Sequence, residues 1–206
     1  MKTQEFSAIL SGIIITIGLF WYIRLVMRGK IGTVVASWIV STVATTLSFV
    51  TYYTSPKANW LGGFLNATSA IAVGGTLIAV YARGKTEGQR VCFNPFQKKC
   101  LIASTLITIL WIVMVWGMGG TGVIPNLLTQ VLLIISYSML IAKFWKADHN
   151  TESLVTWWCV LISSIIALYT AYAKSDALAF VYATRSTVMC GILIFALHRL
   201  ERKNRK

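Results

Sequence analysis

From Cys100 to Ala142 this chain carries no charged side chain. A bilayer crossing takes about 20 apolar residues, so the stretch is too long for one span and long enough for two. In hydrocarbon each backbone N–H and C=O must find its partner within the protein, and a continuous apolar run does so as a helix. The run Gly117-Met118-Gly119-Gly120-Thr121-Gly122, followed by Pro125, is the natural place to turn between two helices.

The rest of the chain reads the same way. It is 56% hydrophobic and 12% charged, outside the balance of a soluble domain. Candidate spans are Phe6–Val26, Gly32–Tyr53, Trp60–Ala82, Cys100–Met118, Val123–Ala142, Ser153–Ala173 and Ala177–Leu197. The expected fold is therefore an all-α integral membrane protein with seven transmembrane helices. Basic residues set its orientation. Fifteen cluster in the loops after helices 1, 3 and 5 and in the C-terminal segment, whereas Lys2, Lys57 and Lys174 lie on the other side. The positive-inside bias puts the N-terminus outside and the C-terminus in the cytoplasm. The net charge of +13 is spread over one membrane face, so anionic lipid headgroups are the expected partner and nucleic acid is not. Cations follow the first apolar run rather than precede it, unlike a cleavable signal. Short loops suit a bacterial inner (plasma) membrane.

A pattern recurs at a spacing of 120 residues: Val35, Trp38 and Val40 return as Val155, Trp158 and Val160. Phe49 and Tyr52 return as Tyr169 and Tyr172, Ser55 as Ser175 and Trp60 as Phe180, while Asn66 faces Ser186. Between the copies sits one extra span. The arrangement is three plus one plus three: residues 1–83 as a first triple-helix bundle, 84–122 as a basic loop and linker helix, and 123–206 as a second bundle and basic tail. Parallel repeats of this kind place a pathway at their interface.

The helix count, the duplication around a lone fourth helix and the aromatic-x-x-Tyr elements Phe49-Val50-Thr51-Tyr52 and Tyr169-Thr170-Ala171-Tyr172, each followed by a polar position, carry a resemblance. The chain resembles the SWEET and PQ-loop transporter superfamily, which includes the nicotinamide riboside transporters. That resemblance implies two parallel triple-helix bundles joined by a linker helix, with the N-terminus outside. The chain lacks the Pro-Gln dipeptide, reading Trp21-Tyr22 and Ser136-Tyr137 at the matching positions. Phe49 and Tyr169 stand for the family's binding-site tryptophan, and Ser186 for its second asparagine. Sugar specificity does not transfer.

Candidate binding residues follow. Asn66 near mid-helix either hydrogen-bonds a polar solute or ties two helices together. Arg185, about two turns into the last span with Ser186 beside it, is costly in hydrocarbon, so it faces a cavity or a partner. A fixed guanidinium suits a carboxylate or phosphate, and its alternative is a salt bridge to Asp176. Phe49, Tyr52, Tyr169 and Tyr172 are either paired walls for a planar ligand or an interfacial aromatic belt. Trp38 and Trp158 are packing anchors or an inner gate, Gln130 is a pathway candidate, and Asn126 is a helix cap after Pro125.

Enzymatic signatures are missing. His149 and His198 have no ligand-spaced companion, and neither HExxH nor GxSxG occurs. The four cysteines show no CxxC spacing. The expectation is no enzyme, no metal and no cofactor. It is a small-solute facilitator working by alternating access, possible as an oligomer, for a solute that is anionic or planar. The alternative is a non-transporting membrane receptor or assembly protein acting through segments Arg83–Lys99 and Arg199–Lys206. Only six acidic residues occur, all at loops or helix ends and none within a span, so facilitated diffusion is expected rather than ion coupling.

Overall fold

The computed structural model describes residues 3–54, 60–86, 92–117, 122–148 and 150–204 and, within its third helix, the side chains of residues 66–83. Lys2, Ser55, Lys57, Arg90, Met118, His149, Arg205, Lys206 and the Trp60 side chain lie outside the described residues. Seven α-helices occur among the described ones: α1 (Thr3–Met27), α2 (Val35–Tyr53), α3 (Trp60–Thr86), α4 (Pro95–Ile112), α5 (Val123–Lys146), α6 (Leu154–Ala173) and α7 (Ala177–Asn204). A π-helical turn, Val113–Gly117, extends α4. Six of them, α1, α2, α4, α5, α6 and α7, are long and apolar enough to cross a membrane.

Helix ends differ from the hydropathy reading for local reasons. α4 starts before Cys100 because Asn94 and Gln97 form a capping box, with Pro95 in the first turn. Hydropathy is blind to both. α5 runs on through Lys143 and Lys146, and α7 through Arg202 and Lys203, because cations suit a helix C-terminus. α2 begins at Val35 rather than Gly32, whose N–H is drawn to the Thr151 carbonyl (2.9 Å) across the bundle. Asn126 does not cap α5: Gly122 holds that position, and the Asn126 side chain is buried inside the first turn.

Two helix ends close in the same way. Gly29, at φ +66°, reverses the chain after α1 with Gly29 N–H bonded to Val26 and Lys30 N–H to Leu25. Ser175, at φ 53°, does the same after α6, bonding to Tyr172 while Asp176 N–H bonds to Ala171.

Packing joins the helices into a ring. α3 packs on α1 and α2, α7 packs on α5 and α6, and the circuit closes through α1 on α6 and α2 on α5. α4 lies outside it against α5 and α2, anchored by buried Trp111, whose indole N–H donates to Thr51 Oγ1 (2.9 Å).

Both closing seams use the same chemistry. Ser11 and Ser163 each donate to the other's backbone carbonyl, at 2.9 and 2.8 Å. Ser37 and Ser136 do likewise, both at 2.9 Å. Small side chains permit this approach: a Cβ on Gly18 of α1 would lie 2.6 Å from Cys159 Cβ on α6.

The burial patterns of α2 and α6 agree better at a spacing of 119 residues than at 120. Seven buried α2 positions, from Ser37 and Trp38 to Thr51 and Tyr52, have buried α6 counterparts at a spacing of 119 residues, against five at 120. Trp157 rather than Trp158 shares the buried setting of Trp38: Trp157 is 4% exposed and Trp158 42%.

Candidate functional site

A small cavity of about 60 Å³ lies at the centre of the ring. Each of the six ring helices lines it: α1 through Leu19, α2 through Trp38 and Thr45, α3 through Ser69, α5 through Tyr137, α6 through Trp157, and α7 through Arg185 and Ser186. The volume admits a few water molecules. It is well below the roughly 300–1,000 Å³ of an open small-molecule site.

Arg185 brings the charge. Its Nε–H donates to Gln130 Oε1 at 3.1 Å, and its guanidinium lies 4.9 Å from the Tyr182 ring centre and 5.8 Å from that of Tyr137. Gln130 is fixed in turn, its amide nitrogen donating to Asn126 Oδ1 (3.0 Å) and Thr129 Oγ1 (3.2 Å). The chain Asn126–Gln130–Arg185 thus ties the first turns of α5 to α7 and satisfies one edge of the guanidinium. Among the described residues no carboxylate pairs with Arg185. Asp176 is engaged elsewhere: it accepts the Tyr52 hydroxyl at 2.7 Å and the Ala179 N–H at 3.0 Å, capping α7. That settles the alternative partner for Arg185 in favour of Gln130.

Other cavity groups are polar and neutral. Ser186 shares a hydrogen bond with Ser164 (2.7 Å). Ser69 Oγ is buried with no hydrogen-bond partner among the described residues, so it is available to a solute or a water.

The remaining sequence candidates are dispersed. Asn66 is buried and accepts from Ser48 at 3.4 Å, joining α3 to α2 behind the cavity wall. Phe49 packs on Tyr53 with ring centres 5.9 Å apart. Tyr52 is buried near the Arg185 end, bonded to Asp176. Tyr169 and Tyr172 are 56% and 75% exposed, on the outer surface of α6. They do not line the cavity. Trp158 likewise faces outward, against His198 with ring centres 6.4 Å apart.

Sequence reasoning offered Trp38 as a packing anchor or inner gate but missed the rest of the cavity floor. Tyr22 of α1 packs on Trp38 (5.1 Å) and Trp157 (6.4 Å), and Tyr137 on Trp157 (5.9 Å), so four aromatic side chains from α1, α2, α5 and α6 close the basic end. Beneath them lies Glu152, whose side chain is fully buried. Its Oε1 accepts the Tyr22 hydroxyl at 3.1 Å and lies 4.0 Å from Lys143 Nζ. Oε2 is buried without a hydrogen-bond partner among the described residues. Burial pushes the Glu152 carboxyl up to about 7, against the opposing pull of Lys143, the Tyr22 hydroxyl and the Trp157 indole. Nothing local in the sequence announces an acid buried by a loop folding back under the bundle.

Among the described residues no group of three or more His, Cys, Asp or Glu side chains could hold a metal. No protein-family model, no curated protein and no solved structure matches this chain.

Proposed function

We propose that this protein is a small-solute membrane transporter working by alternating access, with its binding site in the central cavity. Each half, α1 to α3 and α5 to α7, moves as a triple-helix bundle, and α4 is the linker between them. On this reading the basic ends face the cytoplasm, and the chain is a divergent relative of the SWEET and PQ-loop transporters. One observation carries the proposal: a cavity centred among six helices, holding a guanidinium with no acidic partner among the described residues. A membrane protein built only for packing has no reason to keep Arg185 there, because an intramembrane cation is costly unless it serves a pathway or a ligand.

The cavity also indicates the solute. Gln130 engages Nε and leaves the Nη groups to a ligand, and a guanidinium edge matches a carboxylate or phosphate. Tyr137, Trp38 and Trp157 add flat apolar surface. The solute is therefore a small organic anion, and it enters by separating the halves.

A thermal-shift screen of the purified protein against organic acids, amino acids, nucleosides, vitamins and sugars tests this, followed by uptake of the stabilising compound into liposomes. Stabilisation by anions alone, lost in Arg185→Gln, and saturable uptake are the expected results. Binding without uptake favours a receptor.

A further inference from the structure

We propose that Glu152 is a proton-binding site that gates the basic end of the pathway. Protonated, it stays buried between the halves and keeps that end shut; ionised, it leaves and that end opens. The inference rests on the transport reading for its meaning, but its test needs no solute.

The geometry supplies three arguments. First, Glu152 sits where the halves meet. Tyr22, its hydrogen-bond partner, belongs to α1, whereas Glu152 precedes α6. Around it the halves are cross-linked again: Gly32 N–H donates to the Thr151 carbonyl (2.9 Å), and Lys143 of α5 donates to the Gly32 carbonyl. These contacts join the α1–α2 connection to the α5–α6 connection. Separating the halves at this end must break them.

Second, Glu152 lies under the cavity floor. Tyr22 touches both tryptophans that line the cavity, so a displaced Glu152 frees the Tyr22 hydroxyl and loosens the floor. Third, the site suits the acid better than the carboxylate. A buried carboxylate requires several donors, and here Oε1 accepts the Tyr22 hydroxyl while Oε2 makes no well-formed hydrogen bond among the described residues, so the pull of Lys143, the Trp157 indole and the Ser153 N–H offsets burial only in part. Lys143 is the cation facing it and Tyr22 the other titratable group; α2 and α6 present Trp38 and Trp157. Lys143, at 4.0 Å, is at the limit of an ion pair and also bonds Gly32. Loss of the proton to water at the basic end leaves a charge that Lys143, Tyr22 and Trp157 offset only in part.

The pKa of Glu152, raised to about 7, puts the change within the physiological range. The gate then responds to the pH on one side of the membrane, and anion movement is linked to a proton.

The test uses the full chain carrying T45C, which puts a thiol in the cavity wall. Membrane vesicles of both orientations are treated with a cationic, membrane-impermeant thiosulfonate from pH 5.5 to 8.5. Peptide mass spectrometry reads the modification rate at the introduced thiol relative to native Cys92, which is exposed at the basic end and cancels the reagent's own pH dependence. In vesicles exposing the basic end, the ratio is expected to rise about tenfold between pH 6 and 8, following ionisation of one group. E152Q keeps it low throughout. K143M moves the midpoint to higher pH, because removing the cation favours the neutral acid. A flat ratio in the parent, or the parent's profile in E152Q, overturns the proposal. Should E152Q not fold, the parent profile and the direction of the K143M shift decide. Gating by pH without uptake of any solute would instead count against the transport reading alone.

Discussion

At the scale of single residues, Arg185 and Glu152 are opposite cases. Arg185 was legible in the sequence because an arginine two turns inside an apolar span has few explanations. Its partner was not, since Gln130 meets it only through the packing of α5 on α7. If Gln130 fixes the guanidinium, Gln130→Leu should weaken anion-dependent stabilisation, and Arg185→Gln should abolish it; a thermal-shift titration ranks the two. Arg185→Lys should not restore binding, because an ammonium lacks the two-pronged edge. Glu152 was illegible because acids in short loops are usually solvated, and only the tertiary fold buries this one. Its folded-state value of about 7 is raised above the ordinary 4.5. The stability it contributes is therefore complete below the unfolded value and is lost as pH rises through the folded one. The loss amounts to on the order of 3 kcal/mol. Melting temperature should fall between pH 5 and 8 in the native chain, and the Glu152→Gln chain should lack that component.

At the scale of elements, periodicity and hydropathy located the helices, while side-chain chemistry set their ends and registers. Asn94, Pro95 and Gln97 are a readable start signal, yet a hydropathy window passes over them to Cys100. Letters match at a spacing of 120, through Val155, Trp158, Val160 and Tyr172, whereas burial in α2 and α6 agrees better at 119, which letters alone do not reveal. One residue turns a helix by about 100°, and Tyr169 and Tyr172 fall on the outer surface. The seam between α1 and α6 makes a steric prediction. Gly18→Ala places a methyl against Cys159 Cβ, and overpacking of this kind costs about 1–3 kcal/mol. Cys159→Gly in the same chain should recover most of the loss, whereas Cys159→Ala, which keeps the offending carbon, should not. Melting curves of the three variants decide.

At the scale of the whole molecule, two hydrogen bonds stand at opposite ends of the ring. The Tyr52–Asp176 hydrogen bond joins α2 to the start of α7 at one end, and the Tyr22–Glu152 contact joins α1 to the approach of α6 at the other. Both cross from one half to the other, so rocking the halves apart at one end breaks one contact and compresses the other. In a carrier the two must be broken in turn, since breaking both makes a leak. Orientation can be checked first: native Cys92, exposed in the α3–α4 connection, should react with an impermeant thiol reagent in inside-out vesicles and not in intact cells. The contacts can then be separated. Tyr52→Phe removes one hydroxyl at the end away from Glu152 and leaves packing in place. It should raise reagent access to a T45C thiol from that end several-fold, while access from the basic end keeps its pH profile with the midpoint unmoved or displaced to lower accessibility. If Tyr52→Phe opened both ends together, the two halves would not be moving as opposed rigid bodies, and alternating access would fail as the description of this molecule.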